Sequence, residues 1–400
     1  MTRRIIFIHR LSAVLFPALL VFSPALPNIL LAILGVSGLL TARYTRPLHI
    51  TGGSFIAALL LFILWKLAGI AYSDDTAEAW SLMRRQMTLL AIPFFYLFPG
   101  KIRRVDAIRA FYVFSLACVL MAVYSLGMSL YTYRDTLQYV GGTNIYRFVR
   151  LHPAYFSMYL VLVFFFLMRE GLGCMRRNQM GRASGYVVVT GFLFIYILMM
   201  NARTTTLVFG GLMVLSAIFY FFKSKPRFRY VTVGLSLLLG AGTYFIIQGS
   251  YMVQNDLVNR FETALDTRME IWMAGFDTAL QHPLAGSGTG DSRMDLFATY
   301  EEKGMEEALA HRYNTHSQYL ETMIRHGVPG VLMLVGIWGV LLAGAYRHRS
   351  WLWILFVLLV AGECLTEVML DRQMGLYFIG SFAALFYLMN EGPRPDEGNA

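Results

Sequence analysis

The run MTLLAIPFFYLF, from Met87 to Phe98, follows Arg84-Arg85-Gln86 and carries no charge over its twelve residues. Eleven other apolar runs, centred near residues 16, 34, 63, 118, 160, 193, 213, 239, 337, 359 and 382, alternate with short polar turns. A transmembrane helix needs about 20 mostly apolar residues. By itself Met87 to Phe98 suits an interfacial or re-entrant segment; as a span it requires Arg84 and Arg85 to sit at a membrane boundary. Everything downstream depends on which it is, because omitting one crossing exchanges the sides of all later loops. With the run counted as a span and the N-terminus inside, the inside segments hold 20 Lys plus Arg and five acids, the outside segments hold 13 and 19, and Lys66 lies within a span. Omitting it would move the clusters at Lys101 to Arg109, Arg169 to Arg182 and Lys223 to Arg229 outside, against the positive-inside bias. The sequence therefore predicts twelve spans with both termini inside.

Composition agrees with that class. Hydrophobic residues make up 57% of the 400 and charged residues only 14%, against about 25% charged in ordinary soluble domains. The formal net charge of +10 is then a topology signal, and no nucleic-acid patch is read in it. Arg3 and Arg4 before an apolar run imitate a secretory signal ending at Ser23-Pro24-Ala25. A second run follows at once, however, so the two read as a retained hairpin. Of the three cysteines, Cys118 and Cys364 fall in spans and Cys174 in an inside loop, which implies neither a disulfide framework nor a metal site. The expected fold is an all-α polytopic integral membrane protein with about twelve transmembrane helices and one long outside loop carrying short amphipathic helices. Spans 1–9 take residues 1–248, the loop and its helices 249–327, spans 10–12 residues 328–390, and an inside tail 391–400.

That loop is where aqueous chemistry belongs. Gly249 to Thr315 is a hydrophilic insert of 67 residues with 11 acidic and five basic side chains, the one long polar segment in a chain otherwise made of apolar runs. In Thr267-Arg268-Met269-Glu270 the spacing is that of a capping box, which predicts a helix with Arg268 at its first position and Met269, Trp272, Met273, Phe276 and Leu280 on one apolar face against the membrane. Thr315-His316-Ser317-Gln318 repeats the device and predicts His316 in the first turn of a second helix, sharing its packed face with Tyr319, Leu320, Met323 and Ile324. Gly327 and Pro329 end that helix. Gly286 to Gly290 reads as a flexible bend; no strand precedes it and no P-loop lysine follows, so a nucleotide site is rejected.

Three of these residues suggest chemistry. A histidine at a helix N-terminus is held neutral by the dipole and is able to accept a proton. Arg203, in the tight turn Asn201-Ala202-Arg203-Thr204 between the seventh and eighth runs, and Arg268 lie on the same outside face and would form an electropositive pocket suited to phosphate oxygens. Each has a plainer alternative: a satisfied core histidine for His316, lipid-headgroup anchoring for Arg203, and a surface ion pair with Asp266 or Glu262 for Arg268. Arg147 and Arg150, before His152-Pro153, are secondary phosphate candidates.

The order of the motifs is itself informative. A tight Arg203 turn, then R-x-x-I-W…H-P-L-x-G-x-G from Arg268 to Gly288, then N-T-H-S-Q-Y-L-E…H-G-V-P-G from Asn314 to Gly330 resembles the O-antigen ligase superfamily, which includes O-antigen polymerases and protein O-oligosaccharyltransferases. The resemblance covers about residues 140–345 by motif and the whole chain by topology. It implies a GT-C-like membrane glycosyltransferase of the bacterial inner membrane with its active site periplasmic. Such an enzyme moves a glycan from a polyprenyl diphosphate, typically undecaprenyl diphosphate, to an acceptor hydroxyl, with no metal, nucleotide or other cofactor. In ligase members the acceptor is lipid A core. It also assigns diphosphate contacts to Arg203 and Arg268, and the catalytic role to His316.

Here Asn-Ala-Arg stands where serine-arginine or glycine-serine-arginine is more familiar, and a second long outside loop is missing, which favours a ligase over a polymerase. A lipid-linked sugar transporter is the rival of another class. Transporters place ionisable groups near mid-membrane, and among the basic residues only Lys66 lies deep in a span. Glu363 and Glu367 near the outer end of the eleventh run fit either reading.

Overall fold

The computed structural model describes residues 2–23, 25–44, 52–98, 100–134, 141–149, 151–223 and 255–390. Among them every regular element is helical. In chain order they are α1 (Thr2–Leu19), α2 (Leu26–Tyr44), α3 (Gly53–Ala68), α4 (Thr76–Gln86), α5 (Thr88–Leu97), α6 (Arg104–Thr132), the single turn α7 (Thr143–Tyr146), α8 (Pro153–Arg176), α9 (Met180–Met199), α10 (Arg203–Lys223), α11 (Asn255–Gln281), α12 (Ser292–Glu302), α13 (Glu306–Ala310), α14 (Gln318–Arg347), α15 (Trp351–Glu363), a 3₁₀ turn (Met369–Asp371) and α16 (Gln373–Asn390).

Six of these helices, α2, α6, α8, α9, α10 and α14, are long and apolar enough to cross a membrane, and α3 and α15 are shorter apolar helices. The chain is a multi-pass membrane protein. The run expected near residue 239 and the tail 391–400 lie outside the described residues. The run at Met87 to Phe98 becomes α5, ten residues long, which rises about 15 Å, half a hydrocarbon core. Its polar forerunner α4 ends with Arg84 and Arg85 exposed in its last turn.

The centre of the bundle is α16, whose residues from Met374 to Met389 are all buried. A helix that is apolar all round belongs inside, and its small residues let neighbours close in: a Cβ on Gly380 would sit 3.3 Å from Ile92 Cβ of α5. Around it Phe111 and Phe114 of α6, Tyr159 of α8 and Phe356 of α15 pack against Phe378, Phe382 and Phe386 at ring-centroid separations of 4.7–6.4 Å. The Tyr159 hydroxyl donates to the Met374 carbonyl at 3.0 Å, closing the polar end that each buried tyrosine must satisfy.

Two helix starts differ from expectation. α11 runs unbroken from Asn255 to Gln281, so Arg268 is not at a first position. The Thr-x-x-Glu spacing of a capping box is also the i,i+3 spacing of a helix interior, and no proline or glycine interrupts 255–268. In α14 the N-cap is Ser317, whose hydroxyl accepts from the Leu320 N–H at 3.4 Å. His316 therefore precedes the helix.

The polarity of the first turns of α14 is also reversed. Gln318, Glu321, Thr322 and Arg325 are 1–2% exposed, while of the expected packed face Ile324 is buried but Tyr319, Leu320 and Met323 are only half-buried. An apolar surface costs nothing against lipid, so a helix at the membrane edge turns its polar stripe inward, where partners exist. By the same logic α11 keeps Met269, Met273, Phe276 and Leu280 46–56% exposed as an apolar stripe, while Ile271, Ala274, Thr278 and Ala279 are buried.

Candidate active site

Arg203 is the first residue of α10 and is exposed. The turn before it places Asn201 in the left-handed region, at φ 52°, a conformation asparagine tolerates better than most residues. The Gly142 N–H donates to the Met199 carbonyl at 2.8 Å, which fastens the loop carrying exposed Arg147 to this turn. Arg150 lies outside the described residues. One turn into α10, Thr205 is buried, and its hydroxyl is 3.2 Å from that of Ser157 in the first turns of α8. His152 is the N-cap residue of α8. The start of α10 and the start of α8 thus share one end of the bundle.

The same end receives the His316 turn. The Gln318 N–H donates to the Cys364 carbonyl at 2.9 Å, tying α14 to the end of α15, and Gly362 there packs on Val208 of α10, with a Cβ position 3.0 Å from the valine Cγ2. From the other side α11 approaches closely because Gly275 has no side chain: its Cβ position is 3.1 Å from Thr315 Cγ2. Arg268 lies two helical turns before Gly275 on the same face. It is half-buried and close enough for its charge to act on both His316 and Glu367.

His316 adopts φ 46°, a left-handed conformation that costs an L-residue about 1–2 kcal/mol. Its neighbours hold it there: the Asn314 Oδ1 accepts the His316 N–H at 3.0 Å. The imidazole is half-buried, stands edge-on to the Tyr313 ring at 5.9 Å, and has Nδ1 buried without a hydrogen-bond partner. Burial, then Arg268 and then His152, hold its pKa below the ordinary imidazole value. Neutrality at pH 7 thus arises from desolvation and the Arg268 charge, where helix geometry was expected to supply it. Burial pushes the Glu367 carboxyl up, against the opposing pull of Arg268 and Arg372.

Arg268 and His316 are therefore brought together, and Arg203 and Arg147 stand at the same end of the bundle, on the α9–α10 side. The structure adds His152, Glu367 and Arg372 to this neighbourhood through their electrostatic effects on one another.

The two glycine-bearing motifs meet beneath this end. Residues 282–290, of which Gly286 to Gly290 were expected to be a flexible bend, form a tight strap across the kink of α14: the Ser287 and Gly288 N–H groups donate to the Ile324 and Arg325 carbonyls at 2.7 and 3.1 Å, and the Val328 N–H donates to the Pro283 carbonyl at 2.9 Å. A Cβ on Gly286 would overlap the backbone of Arg325 and His326, and one on Gly327 would lie 2.6 Å from the Leu284 carbonyl carbon. Backbone on backbone leaves no room for side chains, which is what the glycine spacing encodes.

Below the strap is a polar network that sequence reading missed. Lys66 Nζ donates to Gln86 Oε1 at 2.8 Å, and Gln86 Nε2 donates to Asp371 Oδ1 at 2.9 Å. Arg325 grips Asp371 through both terminal nitrogens at 2.7 Å, reaches Glu321 Oε1 at 2.5 Å, and donates from Nε to Ser292 Oγ at 2.9 Å. Two cations and two carboxylates balance. The available signal was the i,i+4 pair Glu321–Arg325 within a polar stripe at 318, 321, 322 and 325.

Residues 188–335 match the family model described as O-Antigen ligase. Over that stretch the chain is similar to the O-antigen ligase family. The matched ligase segment runs from within α9 into α14 and contains Arg203, Arg268 and His316. No curated protein matches the chain.

Proposed function

We propose that this O-antigen ligase-like protein transfers a glycan from a polyprenyl diphosphate to the hydroxyl of an acceptor at the outer face of the bacterial inner membrane, the acceptor being lipid A core. The observation that supports it best is the pairing of Arg268 with a half-buried, charge-resistant His316 inside the ligase segment. A neutral imidazole can take a proton, and a guanidinium beside it can hold a diphosphate without protonating it.

The acceptor oxygen attacks the anomeric carbon from the face opposite the leaving group. A new C–O bond forms as the bond from that carbon to the diphosphate oxygen breaks, with inversion. The hydroxyl proton passes to His316, and the departing electron pair stays on the lipid diphosphate, where Arg203 and Arg268 stabilise it. Proton transfer of this kind contributes about 10²–10⁴-fold, and charge stabilisation in a water-poor site is commonly the larger share. Arg147 serves the same anion from the loop that borders the Arg203 turn.

The test is product analysis with purified protein and a defined polyprenyl-diphosphate glycan. Label appearing on lipid A core supports the proposal. Chain-length growth on the polyprenyl carrier, label on polypeptide, or transbilayer movement without transfer would assign the fold to polymerisation, protein modification or transport instead. Turnover that survives a chelator is expected, and chelator-sensitive turnover would overturn the metal-free chemistry.

A further inference from the structure

The Thr315 hydroxyl lies 3.1 Å from Glu321 Oε2 and 3.0 Å from the Ser317 carbonyl, and the Ser317 N–H donates to it at 3.4 Å. With a single proton to give, the hydroxyl favours the ionised carboxylate as its acceptor. Glu321 is itself 2% exposed and fixed by Arg325, which Asp371 grips from the 3₁₀ turn after α15. The network therefore ends on the residue immediately before His316. Replacing a buried ion network with apolar residues is often neutral for stability, so stability alone does not account for four charges buried here. A left-handed histidine, by contrast, persists only where its surroundings over-determine it.

We propose that Glu321 is a positioning residue for the transfer reaction: anchored by Arg325, it fixes the Thr315 hydroxyl, and Thr315 holds the left-handed turn that presents the His316 imidazole. This rests on the reading of His316 as the general base. Glu321 touches neither substrate nor imidazole in this scheme and acts entirely through the turn. The groups facing His316 are Arg268 from α11, His152 at the start of α8 and Tyr313 of its own loop. None of them belongs to the network, so disturbing the network moves the imidazole without removing its neighbours.

Thr315→Val and Thr315→Ser separate positioning from folding, since both retain the γ-methyl-sized bulk or the hydroxyl while leaving Glu321 and Arg325 paired. The experiment measures kcat/KM for transfer against pH in wild type, in both variants, in Glu321→Gln and in His316→Gln, together with the thermal midpoint of each purified protein. We expect Thr315→Val to lose at least tenfold in kcat with donor KM unchanged, and its acid limb to move to higher pH as the imidazole leaves its desolvated position. Thr315→Ser should restore both, and Glu321→Gln should follow Thr315→Val. A rate loss with an unmoved acid limb, or a lost rate that the serine does not restore, would reduce Thr315 and Glu321 to structural residues and overturn the proposal. An acid limb that persists in His316→Gln would instead refute His316 as the base.

Discussion

Gly327→Ala should break the joint between the two glycine motifs. Gly327 has φ 64° and ψ −169°, a combination open essentially to glycine alone, so any side chain there costs about 1–3 kcal/mol of backbone strain. The added Cβ would also stand 2.6 Å from the Leu284 carbonyl carbon and 2.7 Å from the Pro283 oxygen, so the strap must move by roughly 1 Å to reach normal contact. That shift breaks the Val328 N–H bond to Pro283 and loosens those from Ser287 and Gly288. Each buried donor left unpaired costs about 1–3 kcal/mol. Together the loss is about 2–6 kcal/mol. Gly336→Ala is the matched control: it lies in the same helix, nothing approaches its Cβ position within 4 Å, and alanine in a helix is favoured over glycine by up to about 1 kcal/mol. Thermal unfolding in detergent, read by retention of the monodisperse peak, should show Gly327→Ala well below wild type and Gly336→Ala equal to it or above, with transfer activity lost only in the first. Equal midpoints and activities for the two variants would refute the reading of the motifs as a backbone-on-backbone joint.

Other expectations follow from the same contacts. Asp371→Ala leaves Arg325 with Glu321 and the Ser292 hydroxyl but without its bidentate carboxylate, and removes the acceptor of Gln86, so it should destabilise by about 3–5 kcal/mol, measured by the same unfolding assay. The acid limb of kcat/KM should lie below pH 6.5, because burial and Arg268 hold the folded imidazole under the ordinary value of 6.5. Removing that cation in Arg268→Gln should move the limb upward in a pH–rate profile. The linked stability has the corresponding sign: the unfolded histidine takes its proton near 6.5 while the folded one resists it, so this residue's contribution falls as pH drops through that value. Arg203→Lys and Arg268→Lys keep the charge but lose the planar fork that matches phosphate oxygens, and each should cost at least about tenfold in kcat/KM.

Much of this arrangement was readable from residue order, and the exceptions have physical causes. Apolar runs became helices because chain length and hydropathy alone fix them in a bilayer. The α11 stripe Met269, Met273, Phe276, Leu280 was legible for the same reason, and so was the exposed position of Arg203, because the turn before α10 is too short to hide it. For Arg268 the sequence misplaces the helix start, since Thr-x-x-Glu occurs inside helices as readily as at their ends. For the helix after His316 the sequence turns the polar stripe the wrong way, because such a stripe reads as solvent-facing unless lipid is known to lie outside. The buried network was beyond reach: Gln86 and Asp371 stand 285 positions apart, and only the fold brings them together. The glycines of the strap read as flexibility, whereas Gly286 and Gly290 mark places where two backbones touch and Gly288 one where the Ser73 hydroxyl closes in.

The measurement that tests the account most directly is single-turnover transfer by purified His316→Gln, with donor binding measured on the same protein. If His316 is the base beside a diphosphate held by Arg203 and Arg268, donor affinity stays at the wild-type level while the rate of glycan transfer falls by about 10²–10⁴-fold. A His316→Gln protein that transfers at the wild-type rate would contradict it.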